Sequence, residues 1–164
     1  MTIDIISAHD RQPELLELFK EYMDMLLKND PSFAEFLKIQ KYDDEVKDLN
    51  VKYGRPYGRL YLVYCDNNPA GCIALKKFDE ENCEIKRLYV KPEYRGHNIG
   101  QMLTLKLLED AKSIGYKHVL LDTLPFLETA IKMYENMGFY RIERYNNSPM
   151  ETSIYMKYDL VQHS

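Results

Sequence analysis

The chain has 164 residues, 45% apolar and 29% charged, the balance of a water-facing protein long enough to bury a core as one domain over 1–164. A formal net charge of −4 argues against nucleic acid as the main partner. No apolar run is long enough for a membrane, no signal peptide opens the chain, and three cysteines without a C-x-x-C pair suit reduced thiols rather than disulfides or zinc, so a cytoplasmic protein with no metal is expected.

In chain order, residues 2–7 form a β-branched run that predicts a first strand. Pro13 suits a helix start, and Leu15, Leu18, Phe19, Tyr22 and Leu26 recur at helical spacing up to Lys28. Asn29-Asp30-Pro31-Ser32 breaks the pattern, and Ser32 with Glu35 resembles a capping box for a second helix reaching about Leu49. Its Asp43-Asp44-Glu45 run reads as a solvated face. Residues 53–59, with two glycines and a proline, form a loop. Strands at 60–65 and 71–78 flank the hairpin turn Asp66-Asn67-Asn68-Pro69, and a second turn at 79–82 leads to a third antiparallel strand.

That strand opens the segment around which the chain is organised, residues 84–101. Ile85, Leu88, Tyr89 and Val90 favour extended backbone, and Pro92 ends the run. Arg95-Gly96-His97-Asn98-Ile99-Gly100 follows, then a helical stripe of Ile99, Met102, Leu103, Leu107, Ala111 and Ile114 with Gly115 to stop it. Strand, glycine loop and helix N-terminus together suit a phosphate, because the first N–H groups of a helix lack internal partners and the dipole favours an anion there. On glycine content alone, an ordinary β–α turn explains the loop as well. A buried-looking strand, His118-Val119-Leu120-Leu121, is connected through this helix and should run parallel to the one before it. Pro125 reads as opening a last helix, with Phe126, Ala130, Met133, Tyr134 and Met137 apolar and Gly138 closing it. Final strands at 139–145 and 152–160 surround Asn146-Asn147-Ser148-Pro149.

V-x-P-x-x-R-G-x-x-I-G, from Val90 to Gly100, resembles the acetyl-CoA-binding motif of the Gcn5-related N-acetyltransferases, the GNAT superfamily. Asn98 stands where that family usually has glycine, and asparagine tolerates left-handed backbone angles. A second motif, A-x-x-x-Y-x-x-x-G-F from Ala130 to Phe139, supports the resemblance, while Leu127 replaces an asparagine that many relatives use. The element order matches the GNAT fold over nearly the whole chain. The implied class is α/β (α+β), a mixed, mostly antiparallel central sheet with one parallel pair, the fourth and fifth strands, and helices on both faces.

The resemblance implies acetyl-CoA as cosubstrate and a primary amine of a small molecule or peptide as acceptor, joined in a ternary complex by direct attack. It assigns the cofactor to Arg95, Gly96, His97, Asn98, Ile99, Gly100, Gln101 and Ala130, with a backbone N–H near Leu88, Tyr89 or Val90 for the oxyanion. Tyr134 matches the tyrosine that protonates the departing thiolate, against the plain reading of a core aromatic. Glu84 stands at the spacing from Arg95 at which histone acetyltransferases of the superfamily place their catalytic glutamate. Strand alternation puts Glu84, Lys86, Leu88 and Val90 on one face, so the carboxylate would look into the cleft; a surface salt bridge is the competing reading. Residues 29–59 and 145–151 would bound the acceptor, with Tyr145 beside it and Arg55 or Arg59 selecting a carboxylate. His9, His118 and His163 lack partner patterns and read as structural or exposed, and Tyr140 as structural. A homodimer fits the superfamily's habits. The second reading is a non-catalytic acyl-CoA-binding sensor or assembly module; a plain nucleotide-binding protein lacks its Walker lysine.

Overall fold

The computed structural model describes residues 1–160, so His163 lies outside the described residues. Seven strands, β1 (Ile3–Ser7), β2 (Arg59–Cys65), β3 (Asn68–Lys77), β4 (Asn82–Val90), β5 (His118–Thr123), β6 (Tyr140–Ile142) and β7 (Ile154–Asp159), form one sheet in the order β1-β2-β3-β4-β5-β7-β6. Among the described residues only the β4–β5 neighbours run parallel, as expected from the helix connecting them. Asp66 and Asn67 carry positive φ in the two-residue β2–β3 turn, the geometry that matches strand twist in a hairpin.

Alternation along the central strands sends side chains into two layers. Tyr61, Val63, Ile73, Leu75 and Ile85 pack beneath α5 (Ile99–Ile114), against Leu103, Leu107 and Ala111. Leu60, Leu62, Cys72 and Ala74 face the other way, under Leu15, Leu18 and Phe19 of α1 (Gln12–Asn29). The helices therefore cover both faces. The cysteines are free and buried.

The second helix differs from expectation. It breaks into α2 (Phe33–Ile39), α3 (Tyr42–Glu45) and α4 (Leu49–Tyr53). Lys41 takes left-handed angles between the first two, and Asp48 caps the third by accepting from the Asn50 N–H at 3.0 Å. Ser32 forms no capping box: it precedes α2 with helical angles and caps nothing with its side chain, its hydroxyl donating to Asp30 at 2.6 Å instead. Glu45 is not solvated but buried, for a reason given below. Pro125 lies in a turn, and the last helix, α6 (Glu128–Met137), starts three residues later, after Leu127.

One irregularity sets the rest. The β3–β4 register slips between Cys72↔Tyr89 and Ala74↔Lys86, which leaves Arg87 and Leu88 together opposite Ile73. Arg87 takes a φ of 59°, a conformation that costs a non-glycine residue roughly 1–2 kcal/mol. This bulge resets the alternation. Leu88 and Val90 pack with Ile85 on the α5 side, whereas Lys86 approaches Phe36 of α2 and Tyr89 joins the α1 layer. The expected common face of Glu84, Lys86, Leu88 and Val90 does not exist, because one extra residue exchanges the faces of everything after it.

Candidate active site

The register between β4 and β5 ends at Glu84↔Leu120. Beyond it the strands part, and a cleft of about 1100 Å³ opens between residues 85–90 and 121–124. One end is walled by the start of α5 and by Ala130, Met133 and Tyr134 of α6, the other by Tyr22, Met25, Phe33 and Phe36 of α1 and α2.

The first end is made of backbone. The N–H groups of residues 96–101 donate to no group among the described residues; the first helical bond is that of Met102 to the Asn98 carbonyl, at 3.0 Å. Asn98 takes the left-handed angles (φ 59°) that its residue type allows, and Gly96 has φ 87°. Arg95 Nε donates to the Val90 carbonyl at 3.0 Å, tying the loop to the end of β4. A Cβ at Gly100 would meet only the Met133 sulfur, at 3.5 Å, so it would stand in the space between α5 and α6 without unsettling the fold. This row of free donors at a helix N-terminus, open to a cleft, fits a pyrophosphate. His97 is exposed and does not line the cleft; only its backbone belongs to the cradle.

Tyr134 lines the cleft from α6, its ring 5.3 Å from that of Phe139. Its hydroxyl has no hydrogen-bond partner among the described residues, and burial, with Tyr22 nearby, pushes the phenol far above its ordinary value. It stays protonated at any physiological pH. The Tyr22 hydroxyl likewise has no hydrogen-bond partner among the described residues; burial pushes it up to about 12, Arg87 pulling the value down and Asp122 raising it.

Two charge clusters occupy the far end. In the first, Glu84 accepts from the Tyr145 hydroxyl at 2.5 Å and lies 3.6 Å from Lys86 Nζ. Burial and the Glu84 charge push the Tyr145 phenol far up, so it stays protonated. Lys86 reaches on towards Asp122 at 3.9 Å, and Asn146 donates to Asp122 at 2.9 Å. Lys86 and Asp122 line the cleft; Glu84 and Tyr145 stand behind them. The expectation that Glu84 faces the cleft is thus corrected, as Lys86 lies between. In the second cluster, Arg87 makes a two-point contact with Glu45, Nε to Oε2 at 3.1 Å and Nη2 to Oε1 at 2.9 Å, and donates to Gln40 at 2.8 Å. Lys52 adds 2.8 Å to the same Glu45. Burial pushes the Glu45 carboxyl up, but Arg87 and Lys52 outweigh it and hold the group below its ordinary value.

Arg55 and Arg59 do not reach this cleft. Arg59 donates to the Pro56 and Gly58 carbonyls at 2.9 and 2.7 Å and sits 3.6 Å from Asp110, while Arg55 donates to Ser7. Arg59 opens β2 and Arg55 lies in the loop before it, and β2 stands two strands away from β4. His9 pairs with Asn50 and His118 with Asp159. Tyr22, Glu45, Arg87 and Asp122 were missed. Only Arg87 left a trace in the sequence: with Lys86 it places two charges side by side inside an apolar strand, which alternation does not allow without a bulge.

Comparison with known proteins agrees. The profile of the acetyltransferase (GNAT) family matches residues 14–139. An uncharacterized N-acetyltransferase of Schizosaccharomyces pombe is 33% identical over 150 residues, covering 90% of each chain. Human N-acetylaspartate synthetase is 33% identical over 97 residues, 58% of this chain and 32% of that one. Among solved structures, the PaiA N-acetyltransferase of Thermoplasma acidophilum in complex with coenzyme A superposes with a TM-score of 0.74 at 20% identity, over 97% of this chain and 99% of that one.

Proposed function

The chain belongs to the acetyltransferase (GNAT) family, and from this we propose that it moves an acetyl group from acetyl-CoA to a primary amine of a small molecule, both held in the cleft at once. The observation that carries the reading is the row of free N–H groups at residues 96–101, which opens onto the same cleft as the unpartnered Tyr134 hydroxyl. The cleft is walled at the acceptor end by side chains of α1 and α2, which favours a compact acceptor over a protein surface. The synthetase named above makes a small acetylated amino acid.

Bound acetyl-CoA supplies the thioester. The backbone of residues 96–101 holds its pyrophosphate, Arg95 locks that loop onto β4, and Ala130 leaves room beside it. From residue 85 onward β4 lacks a strand on its β5 side, which leaves main-chain N–H groups near Leu88, Tyr89 and Val90 to stabilise charge developing on the carbonyl oxygen. As the amine nitrogen bonds the carbonyl carbon and the carbon–sulfur bond breaks, Tyr134 gives its proton to the departing sulfur. The amine's surplus proton passes to Asp122, the carboxylate that lines the cleft. Glu84 and Tyr145 act behind it, holding Lys86 and so positioning Asp122.

The test is release of free thiol from acetyl-CoA in the presence of an amine panel. Amine-dependent release is expected. Tight coenzyme A binding with no release from any amine would instead favour the sensor reading.

A further inference from the structure

Arg87 is buried to 5% exposure in the floor of the cleft, and Nε and Nη2 are consumed by Glu45 and Gln40. Nη1 has no hydrogen-bond partner among the described residues, and Arg87 lines the cleft. A guanidinium held by two of its nitrogens, with the third left open, is a preorganised anion donor. Beside it the Tyr22 hydroxyl is also unpartnered, and feels both the Arg87 cation and the Asp122 anion.

The charges around these groups are arranged as a dipole. Glu45 is shared by two cations, Arg87 and Lys52, so that cluster keeps one positive charge in surplus. Lys86 is shared by two carboxylates, Glu84 and Asp122, so that cluster keeps one negative charge in surplus. A polyamine or a bare alkylamine would leave the positive pole unanswered and bring a second cation against it. A ligand with an anionic group and an amine on one short frame satisfies both poles.

We propose that the acceptor is a free amino acid, its carboxylate bound by Nη1 of Arg87 with the Tyr22 hydroxyl, its amine directed to Asp122, and its side chain set against Met25, Phe33 and Phe36. The assignment rests on the acetyltransferase reading above. Those three side chains line the same end of the cleft, and the two phenylalanine rings stack at 5.3 Å, which favours an apolar side chain.

The experiment compares kcat/KM for leucine and phenylalanine with that for their amides and for 3-methylbutylamine and phenethylamine, all with acetyl-CoA. The amide amines are the more weakly basic and would win on ease of deprotonation alone. A charge-assisted contact should nevertheless favour the carboxylates by roughly tenfold to hundredfold. Arg87→Gln should abolish that preference while leaving the KM for acetyl-CoA near its original value. Because Arg87→Gln takes the two-point partner from the buried Glu45 and leaves it Lys52 alone, the double variant Arg87→Gln/Glu45→Gln, which removes both charges of that contact, serves as the folded control. Amides or decarboxylated amines used as well as the amino acids would overturn the proposal while leaving the acetyltransferase reading intact. Thiol release from no amine would overturn both. Preference retained in the double variant would place the carboxylate elsewhere and also defeat the assignment.

Discussion

The two ends of the cleft are built in opposite ways. The end assigned to the cofactor is contiguous in sequence and made of main chain: residues 95–101 turn from β4 into α5, and the N–H groups of 96–101 have no acceptor among the described residues, with Met133 of α6 beside them. The end assigned to the acceptor is made of side chains from four elements and one connection, Tyr22 on α1, Gln40 just after α2, Glu45 on α3, Arg87 on the β4 bulge and Asp122 on β5. A main-chain site depends on a local conformation and survives changes of side chain elsewhere. A side-chain site of this kind depends on burial and pairing across long stretches of chain, so it is bound up with global stability.

The sharpest test of that difference is Glu45→Ala. Removing one member of a buried ion pair leaves the Arg87 charge uncompensated, which should lower the unfolding free energy by about 3–5 kcal/mol, read from urea denaturation. Coenzyme A affinity of the folded fraction should hardly change; loss of both together would show that the two ends are not independent. Tyr134→Phe comes next. It should lower kcat by about a hundredfold, about 2.7 kcal/mol, while acetyl-CoA binding by calorimetry stays nearly constant. A drop of a few-fold would demote Tyr134 to packing against Phe139.

Gly100→Val should act on the main-chain end alone. The branched side chain would enter the space between α5 and Met133 and weaken coenzyme A binding by roughly tenfold, with the melting temperature little changed. Unaltered affinity would mean that the pyrophosphate lies elsewhere. The smallest effect concerns acid. Arg87 and Lys52 hold the Glu45 carboxyl below its ordinary value, so the pair stabilises the fold fully above the unfolded carboxyl's pKa of about 4.3 and ceases to as pH falls through the lower folded value. Stability of Glu45→Gln should therefore fall less steeply below about pH 4 than that of the original protein. Parallel curves would remove Glu45 from the acid response.

Much of this was legible in the chain alone. The hairpin turn that begins at Asp66-Asn67, the parallel crossing from β4 to β5, the glycine stop of α5 and the strand–loop–helix passage at Arg95–Gly100 each follow from local rules about turns, helix ends and strand connection, which act over a few residues. The motif A-x-x-x-Y-x-x-x-G-F put Tyr134 on a helix that the fold then brought to the cleft. The acceptor end followed no such rule. Arg55 and Arg59 were chosen for their loop and proved to be held by nearby carbonyls, Ser7 and Asp110, whereas Glu45 looked like part of an exposed acidic run and is buried. Charge in a sequence says nothing about which partner will be close enough to compensate burial, because that partner lies tens of residues away. Only the tertiary structure brought Arg87 and Glu45 together, and only the bulge, whose single extra residue reverses every later side chain on β4, decided which of them face the cleft.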